Sequence, residues 1–172
     1  MPLPCIRSKG EYRYAIDIEG STALTQRSGD VEAQEIVRTH NTIVREALNA
    51  HGGSEIKHTG DGIMASFPLA SSALKCAVTM QRSVAASAEQ ALRVRIGLNA
   101  GEPVAEEADL FGAAVQLARR ICDQAEPGQI LVSDVVRGLT TGKGFLSADS
   151  GQVALKGFEE PVRLHEVPWQ ER

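Results

Sequence analysis

An α+β fold with a ferredoxin-like β-α-β-β-α-β core, extended by a further helix and strands, is the class this sequence predicts. Three observations point to it. A short first segment alternates apolar residues, two longer segments repeat them at three- and four-residue steps, and an Asp-Gly pair sits between two short β-prone runs. At 172 residues the chain needs only one domain, with a core from about residue 11 to 167. A chain of that length buries roughly 70% of the surface its unfolded form exposes.

The elements follow in order. From Glu11 to Ile18, alternation places Tyr12, Tyr14, Ile16 and Ile18 on one face of a strand, which stops at Glu19-Gly20-Ser21-Thr22. Between Val31 and Leu48, Ile36, Val37, Ile43, Val44, Ala47 and Leu48 mark an amphipathic helix, ended by His51-Gly52-Gly53. Ser54 to Lys57 and Ile63 to Phe67 are two short strands around His58-Thr59-Gly60-Asp61-Gly62, which puts Asp61 at a hairpin tip. After Pro68, Ala70, Ala73, Leu74, Ala77 and Val78 open a second helix running to Val84, and a strand follows from Leu92 to Ala100.

Residues 112 to 125 form a third helix with Ala114, Val115, Ala118, Ile121, Cys122 and Ala125 inward, while Gln116, Arg119 and Arg120 lie on its outer face. Glu126-Pro127-Gly128 terminates it. Ile130 to Val132 is a strand, Ser133 caps a brief helix to about Leu139, and the chain closes with a hairpin from Val153 to Val167. This order predicts one sheet with helices packed on one face.

Composition narrows the function. The net charge of −4 argues against a nucleic acid polymer as partner, because such proteins carry a basic track. No run approaches the roughly 20 apolar residues of a membrane span. Residues 1 to 11 lack the apolar centre and cleavage site of a secretory signal, so the expected location is cytoplasmic. Three cysteines, Cys5, Cys76 and Cys122, do not suggest a disulfide framework or a zinc site, and the last two fall at apolar helix positions.

Two carboxylates stand where strands meet turns: Asp17 at the end of the first strand and Asp61 in the hairpin. Hard cations such as magnesium and manganese prefer carboxylate oxygen, usually one or two such ligands plus substrate phosphates. Either residue alone could equally cap a helix or make a turn. Glu19-Gly20-Ser21-Thr22, directly after Asp17, is a short turn whose backbone N–H groups favour an anion.

Asp17-Ile18-Glu19-Gly20-Ser21-Thr22, Lys57-His58-Thr59-Gly60-Asp61-Gly62, Arg93-Val94-Arg95-Ile96-Gly97-Leu98, Asp109-Leu110-Phe111-Gly112 and Leu155-Lys156-Gly157-Phe158-Glu159-Glu160-Pro161-Val162 resemble, in order and spacing, the successive motifs of class III adenylate/guanylate cyclases. The resemblance covers the chain from about residue 11 to 167 and implies the nucleotidyl cyclase fold. It also implies a reaction in which the 3′-hydroxyl of a nucleoside triphosphate attacks its own α-phosphate and pyrophosphate leaves. On that resemblance two divalent cations, Mg2+ or Mn2+, are held by Asp17, Asp61 and the backbone carbonyl of Ile18. Arg120 meets transition-state charge, and Lys156 is a candidate for the triphosphate.

Where the family orients the ribose with Asn, this chain has Gln116, four residues before Arg120 and so on the same helix stripe. Ala15-Ile16 replaces the usual Phe-Thr before the first Asp. Lys57 and Asp109 match the Lys and Asp of adenine-selective members, which implies ATP as substrate. Family members place the metal carboxylates and the base-reading residues on different subunits. A chain carrying both sets is therefore expected to form a homodimer with composite sites. Two rivals stand beside this expectation. One is a catalytically weak or silent nucleotide-binding or dimerisation module, which Gln116 makes plausible. The other is nucleotidyl transfer of the diguanylate cyclase kind, against which Gly60-Asp61-Gly62 lacks a second acid.

Overall fold

The computed structural model describes residues 13–20, 30–59, 62–88, 92–101 and 113–170, the first of these by its backbone path. Its elements run β1 (Arg13–Gly20), α1 (Asp30–Ala50), β2 (Ser54–Thr59), β3 (Gly62–Phe67), α2 (Ala70–Ala86), β4 (Val94–Gly101), α3 (Ala113–Gln124), β5 (Ile130–Ser133), α4 (Asp134–Thr140), β6 (Ala148–Val153) and β7 (Val162–Glu166). The strands form one sheet in the order β2-β3-β1-β4-β5-β7-β6. Its first four strands are the ferredoxin-like core, with β1 between β3 and β4 and antiparallel to both. β5 joins β4 in parallel, and the β6–β7 pair completes the far edge.

The main core lies between the sheet and α1, α2 and α4. Ile36, Val44 and Leu48 of α1 and Leu74, Met80 and Val84 of α2 meet Ile63, Ala65 and Phe67 of β3 and Val94, Ile96 and Leu98 of β4. Burying each large side chain of this kind contributes roughly 1.5–3 kcal/mol relative to leaving it in water. Cys76 belongs to this layer, and burial pushes its thiol up to about 12, which makes it packing material rather than a nucleophile. α1 ends where Gly52 takes φ 72° and the Gly53 N–H donates to the Leu48 carbonyl at 2.9 Å. Ser133 caps α4 as expected, its hydroxyl accepting from the Val136 N–H.

One expectation is overturned: the helices do not share a face. Along β4 the even positions Val94, Ile96, Leu98 and Ala100 enter the α1–α2 core. The odd positions meet α3 instead. A Cβ on Gly97 would lie 2.6 Å from the Ala118 carbonyl and closer still to the Cys122 nitrogen, and Asn99 donates to the Ala114 carbonyl at 3.0 Å. On β5, Leu131 joins Ile121, Ala125, Leu155 and Leu164 in a second apolar cluster, while Ile130 and Val132 stay in the first. Strand alternation thus assigns α3 to the face opposite α1 and α2. Alternation within a strand was legible in the sequence; which helix takes which face was not.

Several boundaries also differ, among them the end of β2, which runs on to Thr59 rather than stopping at Lys57, and the start of β4, at Val94 rather than Leu92. β1 runs two residues past Ile18, because Glu19 and Gly20 still pair, with Gly62, Arg95 and Val94. The last hairpin starts at Ala148 rather than Val153. β6 is one of the sheet's two edge strands and mostly exposed, with a register shift between Asp149 and Gly151, so its sequence carries no apolar alternation to announce it.

Candidate active site

Several of the predicted site residues that the structure describes fall on the side of the sheet that α3 covers. Across the sheet, Lys57 of β2 is the register partner of Met64 on β3, Met64 of Asp17 on β1, and Asp17 of Gly97 on β4. Directly paired residues lie on one face, so positions 57, 17 and 97 form a single row. Lys57 and Asp17 are two strands apart in it, about 10 Å by the usual strand spacing. Lys57 is exposed.

β2 and β3 close toward each other with Thr59 opposite Gly62, and Gly62 is also opposite Glu19. The end of that hairpin therefore lies beside the end of β1, two residues from Asp17 along the strand. Asp17, Asp61 and the Ile18 carbonyl, the metal ligands that the resemblance implies, are oxygen donors of the kind magnesium or manganese takes. Asp61, Ser21, Thr22 and Asp109 lie outside the described residues. Ile18, Glu19 and Gly20 are placed as the final residues of β1 rather than as the turn expected of Glu19 and Gly20.

Arg120 and Gln116 come from α3. Ala118, Ile121 and Cys122 are its buried side, and Gln116 and Arg120 occupy the adjoining stripe, Gln116 exposed and Arg120 half-buried. Arg120 has a partner on its own helix: its Nη1 donates to Asp123 Oδ2 at 3.3 Å. The other oxygen of that carboxylate is 4.0 Å from Arg95 Nη2, and Arg95 Nη1 donates to the Asp123 backbone carbonyl at 3.3 Å. Asp123 was not singled out in the sequence, and Arg95 stood in the motif from Arg93 to Leu98 without a role of its own. Their signals were available as position i+3 from Arg120 and as an odd position of a strand whose even positions are apolar.

Lys156 sits in the turn joining β6 to β7. Gly157, at φ 89°, allows the chain to reverse, and the Phe158 N–H donates to the Leu155 carbonyl at 3.1 Å. Leu155 packs in the cluster of Ile121 and Ala125, which fastens the turn against α3 and leaves Lys156 exposed. The structure thus collects Lys57, position 17, Gln116, Arg120 and the Lys156 turn on one side of the sheet. No helix of the described residues is long and apolar enough to cross a membrane.

Comparison with known proteins establishes the family. Residues 14–167 match the family of the adenylate and guanylate cyclase catalytic domain. The Rhizobium meliloti protein named "Putative adenylate cyclase 3" is 30% identical over 156 residues, covering 87% of this chain and 27% of its own length. An uncharacterized protein of Mycobacterium tuberculosis is 33% identical over 155 residues, covering 88% of this chain and 40% of its own length. The chain therefore spans well under half of these relatives. The crystal structure of an adenylate/guanylate cyclase/hydrolase from Silicibacter pomeroyi superposes with a TM-score of 0.78 at 28% identity, covering 91% of this chain and 97% of that one. With residues 14–167 matching its family model, the chain belongs to the class III adenylate/guanylate cyclase catalytic domain family.

Proposed function

We propose that this protein is an adenylate cyclase, converting ATP to 3′,5′-cyclic AMP and pyrophosphate at composite sites of a homodimer. The observation that carries the proposal is the shared face: the register row of Lys57 and Asp17 lies on the same side of the sheet as Gln116 and Arg120 of α3. One chain thus presents two half-sites in one surface, as a two-fold pairing of identical faces requires.

In each composite site one subunit supplies Asp17, Asp61 and the Ile18 carbonyl to hold two divalent cations. When bound, those cations favour ionisation of the 3′-hydroxyl and offset the charge on the leaving pyrophosphate. Ser21 and Thr22, which follow Glu19 and Gly20 at the end of β1, offer backbone N–H groups to the phosphates. The other subunit supplies Arg120 to the charge that builds at the α-phosphate, Lys156 to the triphosphate, and Gln116 to the ribose. Lys57 donates to a ring acceptor of adenine, and Asp109 accepts from its exocyclic amine. Guanine presents the opposite pattern on that edge and would leave buried partners unpaired, which costs about 1–3 kcal/mol for each group.

A product assay with Mn2+ and either ATP or GTP tests this. The expected outcome is cyclic AMP from ATP well in excess of cyclic GMP from GTP. Binding of ATP with no cyclic product would establish the second reading, a silent nucleotide-binding module. Gln116 is the observation that keeps that alternative in view, being one methylene longer than the family's Asn.

A further inference from the structure

Arg120 is the cation that the proposed reaction depends on most, and its immediate partner is a carboxylate that none of the family motifs quoted above contains. Asp123 lies between two guanidinium groups. Arg120 Nη1 approaches Oδ2 at 3.3 Å from the helix, and Arg95 Nη2 stands 4.0 Å from Oδ1 on the sheet side. Arg95 is fixed in turn by its Nη1 hydrogen bond to the Asp123 carbonyl at 3.3 Å. All three side chains are about one-third exposed, at 32–34%.

We propose that Asp123 is a positioning residue that sets the Arg120 guanidinium for the triphosphate, with Arg95 anchoring Asp123 to the sheet. The inference rests on the cyclase reading above. An i,i+3 pair alone on a helix surface contributes little and leaves a long side chain free to wander. Here the carboxylate has a second hold, from β4, the strand adjacent to β1, where Arg95 is the register partner of Glu19. Arg120 is thereby referenced to the sheet that carries Asp17 rather than to its own helix only.

The chemistry leaves Arg120 able to act. A guanidinium has five N–H donors, and the bond to Asp123 engages Nη1, so Nε and Nη2 remain for phosphate oxygens. Holding the side chain before substrate arrives also removes rotamer entropy that would otherwise be lost on binding.

The test is a double-mutant cycle in the full chain, with kcat, KM and Tm measured for each variant. Asp123→Ala should lower kcat on the order of 100-fold, the penalty of a misplaced reacting group, with a much smaller change in ATP KM and little change in Tm. Asp123→Glu should recover part of the rate, and adding Asp123→Ala to Arg120→Ala should cost nothing more. Additive losses, a loss that tracks Tm, or faster turnover in Asp123→Asn would overturn the proposal, the last by showing that Asp123 restrains Arg120 against catalysis.

Arginine side-chain NMR supplies a readout that does not need turnover. The Arg120 Nε–H signal should report a restrained side chain in the native protein and a mobile one in Asp123→Ala. An inactive native protein with that signature would sink the cyclase reading and leave Asp123 as the holder of Arg120. An active protein whose Arg120 is equally mobile with and without Asp123 would sink the proposal alone.

Discussion

Lys57, Asp109, Gln116 and Arg120 differ in how much of their role their own positions disclose. Lys57 is one exposed strand residue and Asp109 one acid in a chain of 22 acidic residues, so neither announces base recognition by itself; the motifs around them do. If they read adenine, Lys57→Glu combined with Asp109→Gly lowers ATP turnover far more than GTP turnover in a cyclisation assay. Equal losses for the two nucleotides would mean that they do not. Arg120 was legible as a residue but not in its setting, because a carboxylate three positions along a helix is common and only the fold shows that Arg95 reaches the same group. Away from the site, Asp134 illustrates a structural carboxylate. The hydrogen bond with His165, then that from Arg137, holds its carboxyl below its usual 3.8. Its stabilising effect is present above that value and is lost as pH falls through the lower folded value. Urea unfolding of Asp134→Asn should therefore show a deficit against the native protein at neutral pH that closes as pH falls below 3.8.

Among the elements, α3 is the one the sequence described well and placed badly. Its apolar stripe, its length and its outer residues follow from periodicity, whereas the face it occupies depends on Gly97, a position where a missing side chain leaves no pattern to read. A Cβ there would collide with the backbone of Cys122 and Ala118, so Gly97→Ala should push α3 from β4 and cost about 1–3 kcal/mol in chemical denaturation. Because Gln116 and Arg120 ride on α3, activity should fall further than the fraction unfolded explains. Unchanged stability would mean that α3 does not pack on β4 this closely. The β2–β3 hairpin was easier to foresee, since an Asp-Gly pair between short β-prone runs constrains the chain locally. β6 was harder, as an exposed outer strand has no buried side to impose alternation.

At the scale of the whole molecule, the strand order that makes a ferredoxin-like core also makes one continuous face out of β2, β3, β1 and β4, and that face carries residues of both proposed half-sites. The order could be inferred because β-α-β-β-α-β has few compact solutions. Pairing between two molecules leaves no periodic trace in a sequence, and it is inferred from finding both sets of residues in one chain. The measurement that bears on this most directly is complementation. Asp17→Ala and Arg120→Ala proteins, each inactive alone, are mixed in equal amounts and assayed for cyclic AMP. Random exchange makes half the dimers mixed, each with one intact site of two, so recovery of about a quarter of native activity is the expected result for a two-fold dimer. No recovery despite demonstrated subunit exchange, or full activity in either variant alone, would contradict the shared site.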